Sequence, residues 1–118
     1  SETCYFSGGQ DLIIKTFCIV GLGKHGLYQI QLLRKYRSDI EISHIVDNSL
    51  PSYYRSLNFF KGNINSLYHS NIENVLNDNH PDVIYISTLA DSHVQIALDI
   101  IKRGFEKTII MRNPCPTV

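Results

Sequence analysis

An excess of charge of either sign is missing from this sequence of 118 residues, in which eleven basic and eleven acidic side chains cancel. Without a broad positive field nothing draws the chain to nucleic acid or to an anionic membrane, so neither is an expected partner. No apolar run approaches the ~20 residues that span a bilayer. The first ten residues hold no basic segment followed by a long apolar stretch, so no secretory signal is read there. Cysteine is scarce: Cys4, Cys18 and Cys115 are odd in number and lack metal-type spacing. Three reduced thiols, no metal site and a cytoplasmic location are expected. Internal repeats and low-complexity segments are absent as well. The length suits one domain and leaves no room for a second.

What is present is an alternation. From Lys15 onward, short β-branched or aromatic runs alternate with stretches whose apolar residues recur every three or four positions. That is the pattern of β-α-β units. The fold class expected is α/β: a Rossmann-type doubly wound parallel sheet, three-layer α/β/α, as a single domain over 16–118 behind a flexible N-terminal stretch, 1–15. Leu12, Ile13 and Ile14 could add a short apolar turn or strand to that stretch.

Strands are expected at Thr16–Val20, Glu41–Val46, Leu57–Lys61, Val83–Ser87 and Thr108–Met111. A helix follows the first strand to about Tyr36, with Leu27, Ile30 and Leu33 facing inward. Leu50–Arg55 contains Pro51 and two tyrosines and reads as loop or broken helix; Ile72–Leu76 reads as a short helix. The best-marked helix is expected to begin at Ser92, whose hydroxyl would cap free amides while Gln95 completes a capping box. Val94, Ala97, Leu98 and Ile101 share its inward face, and Gly104 supplies a left-handed stop.

The segment that carries chemistry is Gly21-Leu22-Gly23-Lys24-His25-Gly26, at the end of an apolar strand and the start of an amphipathic helix. In that setting Gly21 permits a tight turn, Gly23 removes the Cβ that would block a pyrophosphate, and Gly26 lets helix and strand pack closely. The phosphates would then meet free amides at the positive end of the helix. Asp47 ends the second strand about 20 residues later, where an acid binds the adenosine ribose hydroxyls. Its bland reading is a turn residue after a strand. Its charge opposes a 2′-phosphate and Asn48 and Ser49 offer no cation, which favours NAD over NADP; Arg55 lies near enough in sequence to keep NADP open. Lys24 could add a positive charge beside the pyrophosphate, although Lys24 and His25 read more readily as solvated loop residues.

These residues resemble the N-terminal domain of the Gfo/Idh/MocA oxidoreductases over nearly the whole chain from Lys15. The likeness rests on Ile19-Val20 leading into the glycine segment, on Ile45-Val46-Asp47, on Asp82-Val83-Ile84-Tyr85-Ile86-Ser87-Thr88, and on His93 in a helix ending Lys102-Arg103-Gly104. The family carries Thr-Pro-Asn-x-x-His after its fourth strand, lining the nicotinamide half of the cofactor. Here the segment is Thr88-Leu89-Ala90-Asp91-Ser92-His93. The resemblance implies a cofactor site of Gly21, Leu22, Gly23, Lys24, His25, Gly26, Asp47, Asn48, Ser87, Thr88, Leu89, His93 and Arg112. His93 reads equally well as a first-turn helix residue. Where the family places Glu-Lys-Pro, with the Lys assisting proton transfer, this chain has Arg112-Asn113-Pro114. Asn113 exchanges no proton near neutral pH, so no catalytic residue is assigned.

The family's second domain, which supplies an acid/base His and substrate contacts, is not in this sequence. The expected function is an NAD(H)-binding domain of an oxidoreductase acting on a sugar, cyclitol or nucleotide-sugar hydroxyl, inactive alone. The alternative is a non-catalytic dinucleotide-sensing or protein-binding module. A methyltransferase also uses a glycine-rich turn and a strand-end acid, but the closely spaced third glycine and Thr88–His93 argue against it. Apolar surface left uncovered makes a homo-oligomer or a partner chain an expectation.

Overall fold

The computed structural model describes residues 3–6, 13–49, 51, 54, 58, 68–69, 71–77 and 81–112. In chain order the elements are β1 (Thr3–Phe6), β2 (Thr16–Val20), α1 (Lys24–Tyr36), β3 (Glu41–Val46), β4 (Tyr68–His69), α2 (Ile72–Asn77), β5 (Val83–Ile86), α3 (Ala90–Lys102) and β6 (Thr108–Arg112). The strands form one sheet in the order β1-β6-β5-β2-β3-β4. Every pairing is parallel except that of β1 with β6. Removing β1 leaves the doubly wound order, with the first parallel strand at the centre and the chain progressing outward on both sides of it.

Parallel strands read as near-continuous apolar runs because both faces are covered, and all four residues of β5 are buried. On one face Phe17, Ile19, Ile45, Val83 and Tyr85 pack with Ile30 of α1, flanked by Leu27 and Leu33 as their spacing predicts. On the other face Cys18, Val20, Val46, Ile84 and Ile86 pack with Val75 of α2 and Ala97 and Ile100 of α3. The result is the three-layer α/β/α arrangement. The partners of Phe17 and Cys18 on β3 are Ile42 and His44, so Ser43 forms a bulge. The bulge lets Ile42 and Ile45 pack on the same side of the sheet.

Four expectations change. Thr3–Phe6 falls in the stretch expected to be a flexible N-terminus, yet it runs antiparallel to β6, with Thr3 opposite Arg112 and Phe6 opposite Ile109. It thereby covers one edge of the parallel sheet. The strand expected at Leu57–Lys61 is not supported: Asn58 has helical backbone, and Tyr68–His69 is the strand that pairs with β3. The other residues of 57–61 lie outside the described residues. Pro51 and Tyr54 are helical, as a broken helix would have them.

The third change is in α3, which starts two residues before Ser92. Its N-cap is Leu89 and no side chain caps it. Ser92 is therefore inside the first turn, and its hydroxyl donates to the Leu89 carbonyl at 3.0 Å instead of accepting an amide. The fourth is the inward face of α3, which centres on His93, Ala97 and Ile100 with Val94, Ile96 and Ile101 beside them; Leu98 is not part of it. The stop is as expected. Gly104 has φ +92°, its amide donates to the Ile101 carbonyl, and the Phe105 amide donates to that of Ile100. This is a Schellman motif whose Phe105 ring is buried in the core.

The end of the sheet remote from the glycine segment is tied by one carboxylate. Asp82 Oδ2 accepts the amides of Lys15 at 2.8 Å and Thr16 at 3.1 Å. The Asp82 amide donates to Thr16 Oγ1 at 2.9 Å, and Lys107 Nζ lies 3.2 Å from Asp82 Oδ1. Desolvation alone would push this carboxyl up. The two amides and the ammonium outweigh it and hold Asp82 below the usual carboxylate range.

Candidate functional site

The chain progresses to one side from β2 through β3 and β4, and to the other through β5 and β6, so the loops after β2 and β5 diverge. Crevices in open α/β sheets form at this switch point. Gly21 leaves β2 at φ +93°, a conformation that favours glycine. A Cβ there would also stand 3.0 Å from the Thr88 amide nitrogen and 3.1 Å from the Ser87 carbonyl carbon. A Cβ on Gly26 would collide with the carbonyl oxygen of Gly21, so this glycine sets how closely α1 approaches the turn. A Cβ on Gly23 would meet nothing within 4 Å. The three glycines thus divide into two that serve internal packing and one that faces open space.

The turn is held from three sides. The Gly21 amide donates to the Val46 carbonyl and the Ser87 amide to the Val20 carbonyl, each at 2.8 Å. Ser87 Oγ lies 2.5 Å from the Gly21 carbonyl oxygen, to which it donates. Asp47 Oδ2 accepts the Leu22 amide at 2.7 Å, and Asp47 Oδ1 accepts the Ser49 amide at 2.8 Å. Each carboxylate oxygen keeps a further lone pair for a ligand hydroxyl. Asp47 is half-buried at the end of β3, and its own amide donates to the His69 carbonyl.

Two cavities open on either side of Thr88. The first, about 230 Å³, brings Gly21, Asp47, Asn48 and Thr88 together with Asn71 and Ile72. The second, about 220 Å³, brings together His25, Ser87, Thr88, Leu89, His93 and Arg112. Thr88 Oγ1, which belongs to both walls, is buried and has no hydrogen-bond partner. An orphaned buried hydroxyl is costly unless a ligand satisfies it. Lys24 lines a third cavity, of about 500 Å³, which also touches His25 and Arg112.

Two of the residues named from sequence take different positions from the rest. The Leu22 side chain is fully buried in the core against α1, and its amide is engaged by Asp47. Gly26 is buried beneath the turn. Asn113 lies outside the described residues, as does Cys115. Sequence reasoning missed Asn71, which follows the weakly patterned stretch after β3. Its Oδ1 accepts the Asn74 amide at 3.2 Å, capping α2, and an Asn immediately before an apolar-periodic run was the available signal.

Among the described residues no group of three His, Cys, Asp or Glu side chains is placed to hold a metal ion. No described helix is long and apolar enough to cross a membrane. Cys18 is a free, buried thiol, and burial pushes its pKa well above the ordinary value.

The GFO_IDH_MocA pattern, described as an oxidoreductase family with an NAD-binding Rossmann fold, matches residues 15–115. No curated protein matches the chain. Solved structures do. Myo-inositol dehydrogenase from Lactobacillus casei, in complex with NAD(H) and myo-inositol, superposes with a TM-score of 0.68 at 16% identity, covering 82% of this chain and 27% of that one. The WlbA dehydrogenase from Bordetella pertussis, in complex with NADH and UDP-GlcNAcA, gives 0.65 at 16%, covering 80% and 28%. An NAD-binding protein from Listeria innocua gives 0.62 at 23%, covering 76% and 25%. The chain spans about a quarter of the length of these proteins, and at these identities the shared property is the fold.

Proposed function

The chain belongs to the Gfo/Idh/MocA oxidoreductase family as its NAD-binding Rossmann fold, and from that premise we propose that it holds NAD(H) across the divide between β2 and β5 as the cofactor half of a dehydrogenase. The observation that carries the reading is the contrast among the three glycines: Gly21 and Gly26 are closed in by backbone while Gly23 faces open space. A turn needs the first two. Only a ligand that approaches the backbone needs the third.

The residues present fit the dinucleotide. Asp47 has lone pairs left for the adenosine ribose hydroxyls, and its charge opposes the 2′-phosphate of NADP. Asn48 and Asn71 line the same cavity. The free amides at the start of α1 would meet the pyrophosphate. The orphaned Thr88 hydroxyl would gain a partner, and Ser87, Leu89, His93, His25 and Arg112, which line one cavity, would hold the nicotinamide half. Bound there, the nicotinamide supplies hydride transfer to or from a substrate carbon.

The substrate we infer is a hydroxyl of a sugar, cyclitol or nucleotide sugar, a reading supported by the ligands of the similar structures. Asn113 in place of the family Lys removes a proton-exchanging group, so the chain alone binds cofactor without turning over substrate. A second α/β domain or a partner chain would supply the acid/base. The Asn113 replacement equally favours a second reading, a non-catalytic module that senses the dinucleotide and passes the signal to a partner. A partner that binds only one redox state of the cofactor would distinguish it. The buried reduced thiol of Cys18 suits a reducing compartment such as the cytoplasm.

Asp47→Ala tests the site. Losing charge-assisted hydrogen bonds worth about 1.5–3 kcal/mol should weaken NADH about tenfold to a hundredfold while weakening NADPH less. Unchanged NADH affinity in that variant would overturn the assignment.

A further inference from the structure

The start of α1 and the end of β6 enclose a cavity of about 500 Å³ lined by Lys24, His25, Leu27, Tyr28, Gln31 and Arg112. Among the described residues no acidic side chain lines it, and none of its three basic side chains joins an ion pair. Arg112 is exposed at the last position of β6. Natural surfaces intersperse charges of both signs, so basic side chains gathered around one concavity without an acid favour an anion there. The wall has two other chemistries. Tyr28 remains 54% exposed, a large aromatic face left open to solvent, and Gln31 offers both an amide donor and a carbonyl acceptor. His25 and Arg112 also line the cavity beside Thr88 and His93, so the two spaces adjoin.

From this combination we propose that the Lys24–His25–Arg112 cavity takes the carboxylate or phosphate of an acidic sugar, whose ring lies on Tyr28 and whose hydroxyls meet Gln31. The guanidinium of Arg112 presents a planar fork suited to a two-pronged contact with a carboxylate, and Lys24 adds a point charge. The inference rests on the cofactor reading only for what lies next door: it makes the substrate of the adjoining nicotinamide site an anionic sugar instead of a neutral cyclitol.

The test uses the chain saturated with NADH and two probes that differ in one group, glucuronate and glucose. Binding is followed by the ring signals of His25 in NMR spectra and by calorimetry. Glucuronate should shift the His25 signals and bind at least about tenfold more tightly than glucose, and Arg112→Gln should remove that advantage. Equal response to the two sugars, or indifference to Arg112→Gln, overturns the inference. So does glucuronate binding that occurs in the apo chain and vanishes on saturation with NADH, because the cations would then belong to the cofactor's phosphates. If NADH itself fails to bind while glucuronate binds in the Arg112-dependent way, the dinucleotide reading falls and the anion site stands.

Discussion

Gly23 and Gly26 are one helical turn apart, and the same added methyl group should act on them in opposite ways. At Gly26 the new Cβ would run into the Gly21 carbonyl oxygen and lie 3.0 Å from Ser87 Oγ. Backbone cannot swing aside as a side chain tip can, so α1 must move off the turn. Overpacking of this kind costs about 1–3 kcal/mol, and the better helix propensity of alanine offsets less than about 1 kcal/mol of it. A net loss near 1.5 kcal/mol would lower the Tm by roughly 6 °C in a domain of this size.

At Gly23 the methyl meets nothing within 4 Å, and φ is −82°. Alanine is a poorer N-cap than glycine by up to about 1 kcal/mol, and it restricts the unfolded chain by about 0.4–1 kcal/mol in the opposite sense. Stability should therefore stay within about 0.5 kcal/mol of the parent. NADH affinity should still fall at least about tenfold, because the methyl occupies the space through which the pyrophosphate approaches. Thermal unfolding and calorimetric titration of Gly23→Ala and Gly26→Ala read both quantities. A Gly23→Ala chain that binds NADH like the parent, or a Gly26→Ala chain that melts with it, would refute the division of roles.

Asp82→Ala should cost about 1–3 kcal/mol by removing the acceptor of the Lys15 and Thr16 amides, the second of them part-buried, and the ion pair with Lys107. Because the folded carboxyl is held below its ordinary value, its contribution is present above about pH 4 and is lost as the pH falls through the lowered folded value. Urea midpoints against pH should fall less steeply in the variant, and parallel curves would contradict the assignment. Cys18, buried with its thiol pushed up, should resist alkylation in the native chain and react once urea unfolds it; rapid native labelling at this position, read by peptide mass, would contradict its placement.

Legibility in the sequence followed the range of the interactions involved. β2, α1 and β3 were readable because their apolar residues repeat at the period of their own element and glycine sits at the junction. Asp47 was readable because its distance along the chain from that junction is set by one β-α-β unit. β1 was not readable, since Thr3–Phe6 is held by pairing with Thr108–Arg112 at the far end of the chain, and no local pattern signals it. Tyr68–His69 is too short to show a period. The start of α3 was misplaced because Ser92 looks like a cap in sequence. The helix begins at an exposed Leu89 without a capping side chain, and the Ser92 hydroxyl turns back to that residue's carbonyl. The orphaned Thr88 hydroxyl and the basic cavity beside Arg112 are products of tertiary assembly, which joins residues from opposite ends of the chain.

The most direct measurement is a pair of calorimetric titrations of the parent chain, one with NADH and one with NADPH. Saturable binding of one NADH per chain, with NADPH at least about tenfold weaker, is the result expected from the open face at Gly23 and the carboxylate of Asp47. Absence of binding by either nucleotide would contradict the account, and would mean that the fold has kept its glycine turn without its ligand.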